Sequence, residues 1–279
     1  MVRKVTLAAV AVVASVAVAQ PPSGAAPLRF KWELNQTLTY KVVQATVVQE
    51  TTIDEKTEKP VTTESKTNLA LVRKWTVKNV DAGVATLEMA IAAMRTDITQ
   101  PGGMVVTRDS ANAEHAKDMA EFLNKAIVTV RVDAQGRLVE VKEAKNGSAA
   151  RLQAELPFRL TLPDAGPVAG QTWDRAFSLK LDPPQGTGES HDFVQKYTCK
   201  GAKDGLTAVG VETTLKAPPK ATGEQVPLVP MLWTGDVYFH AATGRYYAAR
   251  LSAKSELMNH AGDGSRFVYH STYGEDLQP

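Results

Sequence analysis

Between residues 37 and 100 the chain alternates with a period of two. Leu69, Leu71, Trp75 and Val77 fall on one face, interrupted at Arg73, and Ala85, Leu87, Met89 and Ile91 continue the period after Asp81-Ala82-Gly83. Apolar residues at every second position describe half-buried antiparallel strands, because successive strand side chains point to opposite faces. Thr37 to Gln49 reads as a long strand whose Val and Thr side chains suit a pleated surface. Gly83, and Gly205 later, supply the backbone freedom of a tight hairpin.

The pattern is written twice. Lys74 to Gly83 (KWTVKNVDAG) aligns without a gap on Lys196 to Gly205 (KYTCKGAKDG). Upstream, Asn35 to Thr39 (NQTLT) aligns on Gly170 to Asp174 (GQTWD), and downstream Val130 to Arg137 (VRVDAQGR) aligns on Val237 to Arg245 (VYFHAATGR), one residue longer. Three blocks recurring in one order describe a duplication. In the second copy Phe193, Tyr197 and Cys199 hold the matching face, which makes Cys199 a small inward side chain rather than a nucleophile. The duplication also decides the reading of Asp133 to Arg137, where an acid and a base flank Gly136. The second copy keeps Gly244 and Arg245 but has His240 where Asp133 stood, so the shared element is a glycine-dependent reversal, and the stretch is expected to be a turn.

The copies differ by insertion. The first has a charged tip, Asp54 to Pro60. It also has Ser110 to Ile127, in which Ala116, Met119, Ala120, Leu123 and Ile127 are spaced for one helix face, with Asp109 or Ser110 as cap. The second has Val226 to Trp233, which two prolines are expected to keep extended. Ala144 to Glu155 reads as a short helix between the copies. Pro157, Pro163, Gly166, Pro167 and Gly170 mark the rest of a connector. The expected fold class is mainly β: two related antiparallel β-meanders or half-barrels, the first with an inserted amphipathic helix over 110–127. The expected divisions are 1–19 leader, 20–142 first repeat, 143–168 connector and 169–279 second repeat.

The leader follows from MVRKVTLAAVAVVASVAVAQ: Arg3 and Lys4, an apolar run from Val5 to Val16, then Ala17-Val18-Ala19 before Gln20. That is a secretory signal peptide cleaved after Ala19, which predicts a secreted or periplasmic protein. Beyond it no apolar run reaches the length needed to span a bilayer as a helix. Cleavage leaves 260 of 279 residues and, without Arg3 and Lys4, 30 basic side chains against 30 acids. So balanced a chain has no basic footprint for nucleic acid and no polybasic stripe for a membrane surface.

Candidate chemistry is sparse. His115, His191, His240, His260 and His270 show no metal-ligand spacing, so neither metal nor cofactor is expected. Nucleophile motifs are missing, and Gly186 to Ser190 and Gly262 to Arg266 resemble phosphate loops only in composition. The carboxylate pairs Asp54-Glu55 and Glu275-Asp276 lie in polar segments and read as exposed. The aromatic residues are uneven: twelve of eighteen fall between Trp173 and Tyr273. Adjacent rings such as Tyr238-Phe239 and Tyr246-Tyr247 must point to opposite faces of a strand. Trp233, Tyr238 and Tyr246 are therefore the candidate ligand-binding residues, lining a groove for an apolar small molecule or an envelope protein.

Taken with the leader, Leu28 to Trp32 (LRFKW), the NQTLTYKV strand, KWTVKNVDAGVATLEM, PDAGPVAGQTW and the D-x-x-G-R turn resemble a bacterial family of secreted proteins of unknown function. The resemblance implies an exported, two-copy, β-rich protein and carries no catalytic residue or cofactor. A non-enzymatic binding module is the leading expectation. A scaffolding envelope protein without a small-molecule site is the first alternative. A hydrolase assembled from His191, His240 and nearby acids is the second.

Overall fold

The computed structural model describes residues 26–145, 149–183 and 185–279, so the leader expected over 1–19 lies outside the described residues. Twelve strands are described: β1 (Thr37–Ile53), β2 (Pro60–Asp81), β3 (Val84–Thr99), β4 (Val105–Asp109), β5 (Val128–Val132), β6 (Leu138–Ala144), β7 (Thr172–Lys180), β8 (Ser190–Lys203), β9 (Leu206–Leu215), β10 (Thr234–His240), β11 (Arg245–Met258) and β12 (Arg266–Leu277). Two short helices, α1 (Ala113–Asp118) and α2 (Ala149–Glu155), and a 3-10 segment, Thr222–Met231, interrupt them.

The fold is mainly β, but the two meanders are not two half-barrels. They form one sheet in the order β6-β5-β3-β2-β1-β12-β11-β10-β9-β8-β7, with β4 on the side of β3. The repeat blocks place β1-β2-β3-β5-β6 on β7-β8-β9-β10-β11, so the copies lie side by side in the same direction. β12 belongs to neither copy and joins them, pairing with β11 on one side and β1 on the other. An isolated five-strand sheet would leave its β1 edge open; β12 covers it, and edge strands that find no partner are a liability. The remaining edges, β6 and β7, both lie against α2, and Leu138 and Phe177 line one cavity with Leu156. The sheet therefore curls until its edges face each other across a helix.

Two sequence expectations are corrected. The helix over 110–127 shrinks to six residues, capped by Asn112, whose Oδ1 accepts from the backbone N–H of Glu114 and His115. Beyond it the chain is drawn onto the open side of β3: Asn124 N–H donates to Ile91 O and Ile127 N–H to Met89 O. Between β4 and β5 that side of β3 offers unpaired carbonyls, and pairing with them displaces the helical bonds that the periodicity alone favours. Likewise Val226 to Trp233 is not extended. Pro227 and Pro230 sit inside the 3-10 segment, where a φ near −65° is compatible with the tighter turn. The connector, for its part, is packed inside: Phe158, Leu160 and Leu162 are buried in the main core.

The turn reading of Asp133 to Arg137 is what the structure shows. Asp133 Oδ1 accepts from the N–H groups of Gln135 and Arg137, and Oδ2 pairs with Arg137 Nε at 2.8 Å. In the second copy His240 Nδ1 takes the corresponding place, accepting from Thr243 N–H. The two turns grip one segment: Phe30 N–H donates to Ala134 O and Lys31 N–H to Gly244 O. Glycine is required for that approach as well as for the turn. At Gly136 (φ +81) a Cβ would sit 2.5 Å from Phe30 Cε2 and 2.7 Å from Leu160 O. At Gly244 (φ +63) it would sit 2.7 Å from Arg29 O. Residues 29–31 thus tie both copies together at one end of the sheet.

Candidate functional site

The three aromatics expected to line a groove are not brought together. Trp233 (6% exposed) and Tyr246 (1%) are inward and filled against neighbours, Trp233 edge-on to Tyr273 and Tyr246 tilted on Tyr40 and Phe158. Tyr238 lies on the opposite face of β10, since its neighbours Val237 and Phe239 are the buried ones, and it lines a shallow depression beside Lys200 and Leu206. The histidines named for a hydrolase are also apart. His191 lies at the start of β8, whereas His240 lies over Gly205 beyond the other end of that strand, about 45 Å along it at the usual rise per residue. Among the described residues no group of three or more His, Cys, Asp or Glu side chains is placed to hold a metal.

What sequence reading missed is polar and inside. Arg73, which interrupts the apolar alternation of β2, keeps the inward register and reaches across β1 to β12. Its Nε donates to Glu275 Oε1 at 2.7 Å, and Nη2 meets the same oxygen at 2.5 Å. Glu275, expected to be exposed, is 0% exposed. Its other oxygen accepts from Tyr246 OH at 2.6 Å and Tyr273 OH at 2.8 Å. Arg73 Nη2 also donates to Pro157 O, so the connector is part of the same network. A second, partly buried pair follows in the connector, Arg159 Nη2 to Glu155 Oε2 at 3.2 Å, with the Arg159 guanidinium 4.7 Å from the Tyr273 ring. The sequence signal for this cluster was the break at Arg73. Its repeat counterpart, Gln195, is also buried and polar, donating to Thr213 Oγ1 and accepting from Tyr197 OH.

Burial sets the protonation states. Burial disfavours a charged Arg73, but the Glu275 carboxylate beside it outweighs that cost and raises the Arg73 pKa. In Glu155 burial would raise the pKa, and Arg159 and Arg151 overcome it and lower it. Tyr246 is pushed well above the ordinary tyrosine range by burial and by the Glu275 charge. Tyr273 is pushed up to about 12, again by burial first. A folded-state pKa above the unfolded value of about 10 means that stability is full below pH 10 and is lost as pH rises through 12. Urea unfolding followed by circular dichroism is expected to show a fall on the order of 2 to 3 kcal/mol between pH 9 and 12 from Tyr273. Tyr273→Phe should flatten that alkaline slope. An unchanged slope would mean that Tyr273 titrates like an exposed phenol.

Beyond the connector the long strands continue, and their inner face changes character. Register carries the inward set from Tyr40 and Val42 to Gln44, Thr46 and Val48 on β1, to Leu69, Thr67 and Ser65 on β2, and to Met94, Thr96 and Ile98 on β3. None of these is charged, yet none beyond Val42 is buried, and Ile98 (38%) and Val61 (47%) stand open. The outer face of the same stretch carries Lys41, Glu64, Lys66, Arg95 and Asp97. The first charge on the inner face of β1 is Glu50, held by His260 Nε2 at 2.9 Å. The chain segments that flank this floor are α1, against β4, and the 3-10 segment, against β11 and β12. We call this uncharged, half-exposed strip of the inner face the trough; its bed is Val, Leu, Ile, Met, Thr, Ser and Gln side chains.

No family model matches the chain, and no curated protein matches it. Among solved structures it is similar to one described as lipid–protein interactions in lipovitellin, at 12% identity and a TM-score of 0.48, over 89% of this chain and 26% of that one. The chain thus spans about a quarter of that protein's length, and a likeness of this extent assigns neither ligand nor activity to it.

Proposed function

We propose that this is an exported, non-catalytic binding protein, of the secreted bacterial kind its sequence resembles, which holds an apolar ligand against the inner face of β1, β2 and β3. The observation that carries this reading is the trough: a half-exposed sheet face without charge, opposite an outer face that is charged in the ordinary way. An apolar surface that water still reaches gains about 25 cal/mol for each Å² a ligand covers. Its Thr and Gln side chains, such as Gln44 and Thr46 bonded to Ser271, leave polar anchors beside the apolar ones.

The test is uptake of an uncharged fluorescent probe, N-phenyl-1-naphthylamine, by the purified mature protein. Saturable uptake is expected in the parent. Leu69→Asp and Ile98→Asp should each weaken it at least tenfold, about 1.4 kcal/mol, with the far-ultraviolet circular dichroism unchanged. A parent that takes up no probe, or Asp variants that bind like the parent, would overturn the assignment of the trough.

A further inference from the structure

The sheet's two edges face each other across α2, and the gap between them is not filled. A cavity of about 340 Å³ opens there, bounded by Arg137 and Leu138 on the β6 side, Arg175 and Phe177 on β7, and Leu156 and Thr161 from the connector. Its lining holds two guanidinium groups and no carboxylate. Arg137 is tied to Asp133 by Nε only, and its side chain is 57% exposed. Arg175 donates through Nη2 to the carbonyls of Gln153 and Ala154 at the end of α2, and its guanidinium lies 4.4 Å from the Phe177 ring. Its Nε and Nη1 are buried without a hydrogen-bond partner.

Arg175 differs in this from the arginines nearby. Arg73 has Glu275 and Arg159 has Glu155, whereas the partners of Arg175 are carbonyl dipoles and a ring. Burial accordingly lowers its pKa, where the other two are raised by their carboxylates. A desolvated cation with no counter-charge is costly, and one negative charge in the adjoining cavity would relieve it. The rest of the lining sets apolar Leu138, Leu156, Ala176 and Phe177 beside uncharged polar Gln153, Thr161 and Ser178, and the volume is at the small end for ligand sites, too small for a two-chain lipid.

We propose that this seam cavity binds a monocarboxylate with a short apolar chain, its head between Arg175 and Arg137 and its chain on Leu138, Leu156 and Phe177. The site is separate from the trough, and its test does not depend on that reading. The probe is octanoate, with octanol as its uncharged counterpart, titrated calorimetrically into the full mature chain at pH 7. Octanoate should bind at one site, at least tenfold tighter than octanol. Arg175→Met should lose that preference. Because Arg175 also caps α2 and its loss can loosen the fold, Arg137→Gln on the exposed side provides a second reading, expected to weaken octanoate severalfold at an unchanged melting temperature. Octanol binding as tightly as octanoate, no octanoate binding at all, or parental octanoate binding in Arg137→Gln would each overturn the proposal.

Discussion

Glu275→Gln is expected to lower the unfolding free energy by about 3 to 5 kcal/mol, the usual cost of leaving one member of a buried ion pair behind. The substitution keeps the shape of the side chain and an oxygen that can accept from Tyr246 and Tyr273, so the lost quantity is the charge that balances Arg73. Arg73 cannot shed its proton to escape, and at its inward position water does not reach it freely. The double variant Arg73→Met with Glu275→Gln should recover most of the loss, because a buried pair replaced by side chains of similar volume is often near neutral. Urea titrations of the parent, the two single variants and the double variant form a complete cycle. A coupling near zero would mean that the pair is solvated in the folded protein. The pair also joins β2 of the first copy to β12, 202 positions away, so its loss should loosen the junction between copies before the hairpins inside either one.

Phe158→Ala should be comparably severe. Phe158 is 1% exposed and touches the rings of Phe30, Trp32, Tyr40, Trp75 and Tyr246, at centroid distances of 5.5 to 6.2 Å. These rings come from the N-terminal segment, both strands of the first hairpin and the second copy, so the connector inserts one side chain where the parts of the fold converge. Removing a fully buried phenylalanine costs about 3 to 5 kcal/mol, and more when its surroundings cannot collapse. Here they are held by strand pairing and the Arg73 network, which argues for the upper end. Phe158→Leu should retain about half of the difference. Thermal and urea unfolding of the two variants checks this ordering, and a Phe158→Ala protein within 1 kcal/mol of the parent would mean that the connector does not hold the core.

How far the sequence could be read depended on how local each feature is. The turn at Asp133 to Arg137 was legible because a turn is decided within five residues, and comparison with Gly244-Arg245 separated the backbone requirement from the chemistry. Cys199 was placed correctly inward from its alignment with Val77 in the other copy. The helix over 110–127 misled because its spacing was right but its competitor, the open side of β3, lies elsewhere in the chain. Arg73 was visible only as a break in a pattern. Glu275 stood beside Asp276 and looked like any exposed acidic pair, although it continues the alternation of Phe267, Tyr269 and Tyr273 on β12. Following that period one step further would have placed it inside.

By itself the sequence determined the strands, the hairpins and the duplication, since these follow from a period of two, from glycine at positive φ and from similarity between blocks. It could not determine that the copies share one sheet, that residues 156–163 fill its interior, or which face of the long strands curves inward. Those outcomes rest on β12 pairing with β1 from the far end of the chain, and on edges that meet only after the whole sheet has curled. Period two says that a strand has two faces; which face water still reaches is decided by what the rest of the chain lays against it. The trough and the seam cavity are products of that second decision.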